Sequence, residues 1–188
     1  DCIGMTMRVA SGEGREHSEK ACCTADAALD AKRVADKLSI PHYTLNYVER
    51  FEREVIDDFV SEYLAGRTPN PCARCNQRVK FGALYEKCVA LDADLIATGH
   101  YARKVERDGR HALRRAKFRE KDQSYNLAGL GQEQLRRALF PLGDHTKDEA
   151  RHVAKELGLV TWDKPESQEI CFVPQDDYRA YLESRVGA

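Results

Sequence analysis

The 188-residue chain is 42% apolar and 32% charged, with a formal charge of −1, a balance that excludes a disordered tail and a uniformly basic nucleic-acid coat. No apolar run approaches the ~18 residues of a membrane span, and the length suffices for one domain with a small appendage. Seven cysteines, an odd number at irregular spacing, fit a reduced cytoplasmic protein better than a secreted disulfide framework.

In chain order, Cys2 to Val9 reads as a strand with no initiating Met and no basic leader, so the sequence is expected to begin inside a longer protein. Thr24 is a plausible N-cap, and Ala28, Ala31, Val34, Ala35 and Leu38 recur at helical spacing. His42 to Tyr47 is the next strand, followed by a helix on Phe51, Val55, Phe59 and Leu64 that ends at Gly66. A third helix carries Val79, Leu84, Cys88 and Leu91, and Asp94 to Thr98 is a short strand running into Gly99-His100. Strands alternating with long helices imply crossover units and a Rossmann-like α/β parallel sheet, whose ligands lie beyond the carboxyl ends of the strands. Tyr101 to Val105 and His111 to Arg115 flank Asp108-Gly109, a hairpin signal. Short helices are expected over Gln123 to Leu130, Gln132 to Leu139 and Thr146 to Leu157. The loop or strand Ser167 to Val173 precedes a last helix, Asp176 to Ser184.

The densest chemical signal is the loop Gly66 to Asn76, where two prolines restrict the approach to two thiols, Cys72 and Cys75, at the start of a helix. Free backbone N–H groups and positive potential at a helix N-terminus favour a thiolate, and Arg74 and Arg78 add charge, so Cys75 is a candidate nucleophile. A lone C-x-x-C is also half of a zinc site, but no second knuckle exists, and zinc would need Cys171 with a His such as His100. A 4Fe-4S cluster on Cys72, Cys75 and Cys171 is the stronger metal alternative because all three ligands would be thiolates. Taken alone, Cys171 between Ile170 and Phe172 reads as a core residue.

Between Arg103 and Lys121 nine Lys or Arg face three acids, a basic excess that the hairpin carries. It is either a solvated ribbon or a footprint for a phosphate backbone.

T-P-N-P-C-A-R-C-N (68–76), A-T-G-H-Y-A-R (97–103), K-D-Q-S-Y (121–125), F-P-L-G (140–143) and S-Q-E-I-C-F (167–172) resemble, in order and spacing, the tRNA-specific 2-thiouridylase (MnmA) family over nearly the whole chain. The resemblance implies a PP-loop ATP-pyrophosphatase fold and a sulfurtransferase that uses ATP, with Mg2+, to activate the C2 oxygen of the wobble uridine of tRNA. Sulfur delivered as a persulfide replaces that oxygen, with AMP and pyrophosphate released. It further implies that Cys171 carries the persulfide and that Cys75 releases the sulfur and ends disulfide-bonded to Cys171. Asn70, Pro71 and Cys72 match the stretch that meets the target base, Lys121, Asp122 and Gln123 a tRNA-contacting segment, and Met7 and Gly99 positions at the nucleotide. A cysteine desulfurase or a sulfur-relay protein would load Cys171.

Two departures accompany the resemblance. The family's S-G-G-x-D-S phosphate loop and its C-terminal β-rich domains are not in this sequence, so residues 1–143 are read as a partial nucleotide-binding domain and 144–188 as the start of the next. On that reading the chain should not adenylate tRNA unaided. Cys72 stands where some relatives carry an acid, which keeps a 4Fe-4S-dependent thiolase open beside the metal-free route. An inactive RNA- or metal-binding fragment is the alternative from another class.

Overall fold

The computed structural model describes residues 1–9, 25–164 and 170–186. The expected N-cap Thr24 and Ser167, Gln168 and Glu169 lie outside them. The chain divides into two compact units, Asp1–Pro69 with Ala154–Ala188, and Asn70–Val153.

In the first unit, strand β1 (Gly4–Arg8) pairs in parallel with β2 (His42–Asn46), in register from Gly4↔His42 to Arg8↔Asn46. Parallel partners need a crossover, and helix α1 (Ala25–Lys37) supplies it, burying Ala35. The helix ends with Ser39 at φ 55, and Ile40 N–H donates to Ala35 O at 3.0 Å, the left-handed termination that usually falls to glycine. Helix α2 (48–64) is α-helical over Val48–Phe51, π-helical over Glu52–Ile56 and α-helical again over Asp57–Leu64. Phe51, Val55, Ile56 and Phe59 form its buried stripe. The last helix starts at Tyr178, not Asp176, because Gln175 and Asp176 stand at φ 53 and 58, outside helical space.

The second unit opens with helix α3 (71–90), α-helical over Pro71–Arg74, π-helical over Cys75–Ala83 and α-helical over Leu84–Ala90. Its Val79 and Phe81 side chains are fully buried. Strand β3 is only Ile96–Ala97, shorter than expected, and it pairs in parallel with β6 (Ala138–Leu139). β6 departs from the helix that the pattern predicts through Leu139: the helix stops at Arg137, where Ala138 turns extended at ψ 139. The helix expected over 123–130 is a single 3-10 turn, Ser124–Leu127. Strands β4 (Ala102–Arg107) and β5 (Arg110–Arg115) form the hairpin, and Asp108 and Gly109 at φ 51 and 71 give the two-residue turn that their sequence demands. Outside this hairpin, both strand pairs among the described residues are parallel, as an α/β crossover fold requires.

The hairpin is fixed at its base rather than hanging free. A Cβ at Gly143 would stand 2.1 Å from Ala102 O, so the 3-10 turn Pro141–Asp144 packs on β4 at a distance that only glycine permits. Lys117 N–H donates to Gly143 O at 2.9 Å, and both the backbone N–H and O of His111 are held by the Gln132 amide at 2.9 Å.

Candidate active site

Helix α3 begins where chain stiffness and capping coincide. Arg67 forms a two-pronged ion pair with Glu62 at 2.6 and 2.7 Å, which raises its already high pKa further. Beyond it, Asn70 sits in extended conformation and its side-chain oxygen accepts from Ala73 N–H at 3.0 Å. Pro71 at the first helical position has no N–H to satisfy and is buried. Cys72 is therefore on the first turn and exposed, and Cys75, one turn on, is half-buried at the start of the π-helical stretch. There Leu84 N–H reaches back to Val79 O, the five-residue spacing of a π-helix.

Amides tie this helix to the neighbouring segment. Asn70 Nδ2 donates to Asn126 Oδ1 at 3.3 Å, and Asn76 Nδ2 donates to Asn126 O at 3.1 Å. Asn76 is 2% exposed, and its Oδ1 has no partner among the described residues. Asn126 belongs to the turn that follows Lys121, Asp122 and Gln123. The structure gives two of those three side chains internal tasks. Asp122 accepts from Ala116 N–H at 2.8 Å and from the Ser124 hydroxyl at 2.9 Å, while Gln123 Oε1 accepts from Tyr101 N–H at 3.1 Å. Burial pushes the Asp122 carboxyl up, but these N–H and O–H donors and the Arg115 charge outweigh it and hold the group below its usual range.

Gly99 follows Thr98, whose N–H bonds Leu139 O at 3.0 Å and whose hydroxyl meets His100 Nδ1 at 2.8 Å. A Cβ at Gly99 would meet only Leu142 Cδ1, at 3.9 Å, so packing within the protein does not require glycine there.

In the first unit, Met7 lies on β1 and is buried, with Leu45 as its cross-strand neighbour. Cys171 is half-buried in a turn, closed by Val173 N–H donating to Ile170 O at 3.0 Å, and not in the strand that was one expectation. The next residue, Phe172, anchors that turn edge-on to Phe51 at 5.8 Å and Phe59 at 5.2 Å, with Tyr181 at 5.6 Å. Cys75 and Cys171 are both thiols. Among the described residues no three His, Cys, Asp or Glu side chains are grouped to hold a metal ion, and no helix is long and apolar enough to cross a membrane.

Sequence reasoning missed Asn126 and Asn76. An Asn in a turn and an Asn in a helix are common, and only the fold brings them to the same amide cluster. At Gly143 the sequence signals a turn after Pro141-Leu142, and only the fold shows the Ala102 carbonyl that a side chain there would strike.

The sequence also places the chain among known proteins. It is 53% identical to a tRNA-specific 2-thiouridylase MnmA of Heliobacterium modesticaldum over 98% of this chain and 49% of that protein. It is 51% identical to the enzyme of the same name from Carboxydothermus hydrogenoformans, over 100% and 52%, and 50% identical to that of Mycobacterium ulcerans, over 100% and 51%. The chain thus spans about half the length of the curated relatives it matches. The model of the tRNA methyl transferase HUP domain matches residues 1–175, and the chain belongs to that family.

Proposed function

We propose that this chain is the thiol-bearing part of a tRNA-uridine 2-sulfurtransferase that acts on the wobble uridine in the cytoplasm. The observation that carries the reading is the Asn70–Asn126 bond, which joins the helix bearing Cys72 and Cys75 to the segment beside the basic hairpin. A base drawn out of its stack and a phosphate backbone would then be handled by one connected body. The 2-thiouridylase names of relatives at 50–53% identity support it.

The family implies ATP, and the resemblance assigns it Gly99, a strand-end glycine that no neighbouring group demands, and Met7. The nucleotide, with Mg2+, would supply activation of the uridine C2 oxygen so that it leaves with AMP. The remaining chemistry belongs to sulfur. Cys171, loaded as a persulfide by a desulfurase or relay protein, offers its outer sulfur to C2. The Cys75 thiolate attacks the inner sulfur, so the S–S bond of the persulfide breaks as the Cys75–Cys171 disulfide forms. An external dithiol returns both cysteines to thiols and takes the two electrons' worth of oxidation away. Asn70 and Pro71 orient Cys72 and Cys75 through the capped first turn, and Cys72 stands beside the target base.

The test is single-turnover thiolation of unmodified tRNA by the full-length protein. Cys75→Ser and Cys171→Ser should each abolish 2-thiouridine formation while leaving the circular dichroism unchanged. Near-normal product from either variant would sink the mechanism.

A further inference from the structure

The hairpin sorts its charges by face. Partners in an antiparallel pair share a face, so Arg103↔Arg114, Val105↔Ala112 and Arg107↔Arg110 form one side, and Ala102↔Arg115, Lys104↔Leu113 and Glu106↔His111 the other. The second side is the packing side. Ala102 is buried, Lys104 Nζ donates to Arg136 O at 2.9 Å, and Leu113 lines a cavity with Leu130 and Leu135. Its one carboxylate, Glu106, lies 4.0 Å from His111 Nδ1. The first side carries four arginines and no acid.

Two of its three cross-strand pairs set arginine directly opposite arginine, an arrangement that disfavours the isolated hairpin. Arg103 is tied down, through Nε to Arg115 O at 2.9 Å and Nη1 to Asp144 at 3.4 Å. Arg107, Arg110 and Arg114 are exposed and have no carboxylate partner among the described residues. Charge that is concentrated, unpaired and held in rigid register fits an anion that comes to it from outside.

We propose that the face formed by Arg107, Arg110 and Arg114, with Arg103 fixed at its base, is a phosphate rail that grips the sugar-phosphate backbone of the RNA substrate. The inference rests on the function proposed above and assigns to it a surface outside the cysteine loop and outside Lys121–Gln123. Guanidinium forks match phosphate oxygens two at a time, and a strand spaces Arg110 and Arg114 by about 13 Å, so the two ends of the rail address different phosphates. Membranes are the poorer fit, because no large apolar side chain is exposed on the hairpin to enter a lipid interface. RNA is the better fit than an acidic protein, because a polynucleotide presents its charges as an evenly spaced row of phosphates, which arginines held in fixed register can meet one after another.

The experiment is the salt dependence of tRNA binding by the full-length protein. Replacing Arg107, Arg110 and Arg114 together by Gln should make the slope of log affinity against log salt shallower by about two and weaken binding about tenfold to hundredfold near 0.15 M salt. The melting temperature should not fall, since like charges have been separated. A charge-matched control, Lys32→Gln with Lys37→Gln and Lys87→Gln, should leave the slope near wild type. An equal loss in the control, or an unchanged slope in the rail variant of a protein that binds and thiolates tRNA, overturns the rail alone. Failure of the wild-type protein to bind tRNA at all overturns the function reading with it. Rail-dependent binding to phosphatidylserine vesicles without rail-dependent binding to tRNA would assign the face to membranes instead.

Discussion

Two glycines in neighbouring motifs have opposite reasons for being glycine. At Gly143 a methyl group would run into the Ala102 carbonyl, a backbone atom that cannot swing aside. Gly143→Ala should therefore cost about 2–4 kcal/mol in urea unfolding, and a loss below about 0.5 kcal/mol would show that the turn is not seated on β4 as described. Gly99→Ala meets only ordinary contact and should be neutral to slightly stabilising, by up to about 1 kcal/mol. If Gly99 serves the nucleotide, ATP affinity falls in that variant although stability does not. Asp122 makes a pH prediction. Its carboxyl is depressed in the folded state, so its contribution is full above the unfolded value of about 3.9 and is lost as pH falls through the lower folded value. Asp122→Asn should flatten the stability profile between about pH 5 and pH 2, and an unaltered acid slope would refute the assignment. Cys88 is buried, and burial pushes its thiol up against the weaker opposing pull of Arg137. Iodoacetamide should modify exposed Cys72 in the folded protein and Cys88 only after unfolding; comparable rates would contradict the packing.

At the scale of elements, the α3 N-terminus depends on one amide used twice. Asn70→Ala removes the cap and the bond to Asn126, and should cost about 1–2 kcal/mol. Asn70→Asp keeps the capping oxygen and should recover most of that, while the link to Asn126 stays lost, so thiolation separates the two roles where stability does not. The helices, the Asp108-Gly109 hairpin and the cysteine loop were legible because local chemistry determines them: periodicity, a capping Asn, prolines, a turn that tolerates positive φ. Strand β6 was not, because two residues carry no periodicity and Ala138-Leu139 continues a helical pattern until a partner strand draws it away. Asp122 and Gln123 were legible as important through the family resemblance alone. That they hold Ala116 and Tyr101 in place depends on how the chain folds back six and 22 residues upstream, which no local pattern shows.

Taken whole, the molecule gives each compact unit its own anchor for a cysteine. In the first, the Cys171 turn depends on Phe172 among Phe51, Phe59 and Tyr181, with Arg185 paired to Glu52 and lying over the Tyr181 ring at 5.3 Å. Phe172→Ala should cost about 3–5 kcal/mol and raise hydrogen exchange in residues 48–64 and 178–186. Unchanged exchange there would mean that the turn is held by something else. In the second unit, the hairpin is riveted at its base, while a Cβ at Gly109 would meet nothing within 4 Å at its tip. That contrast sets a parity rule on descent. A single residue gained in one strand, unless a bulge absorbs it, would turn every arginine between the insertion and the tip inward and bring the packing side out. Lineages can therefore lengthen or shorten this arm freely at the tip, but within the strands only by even steps.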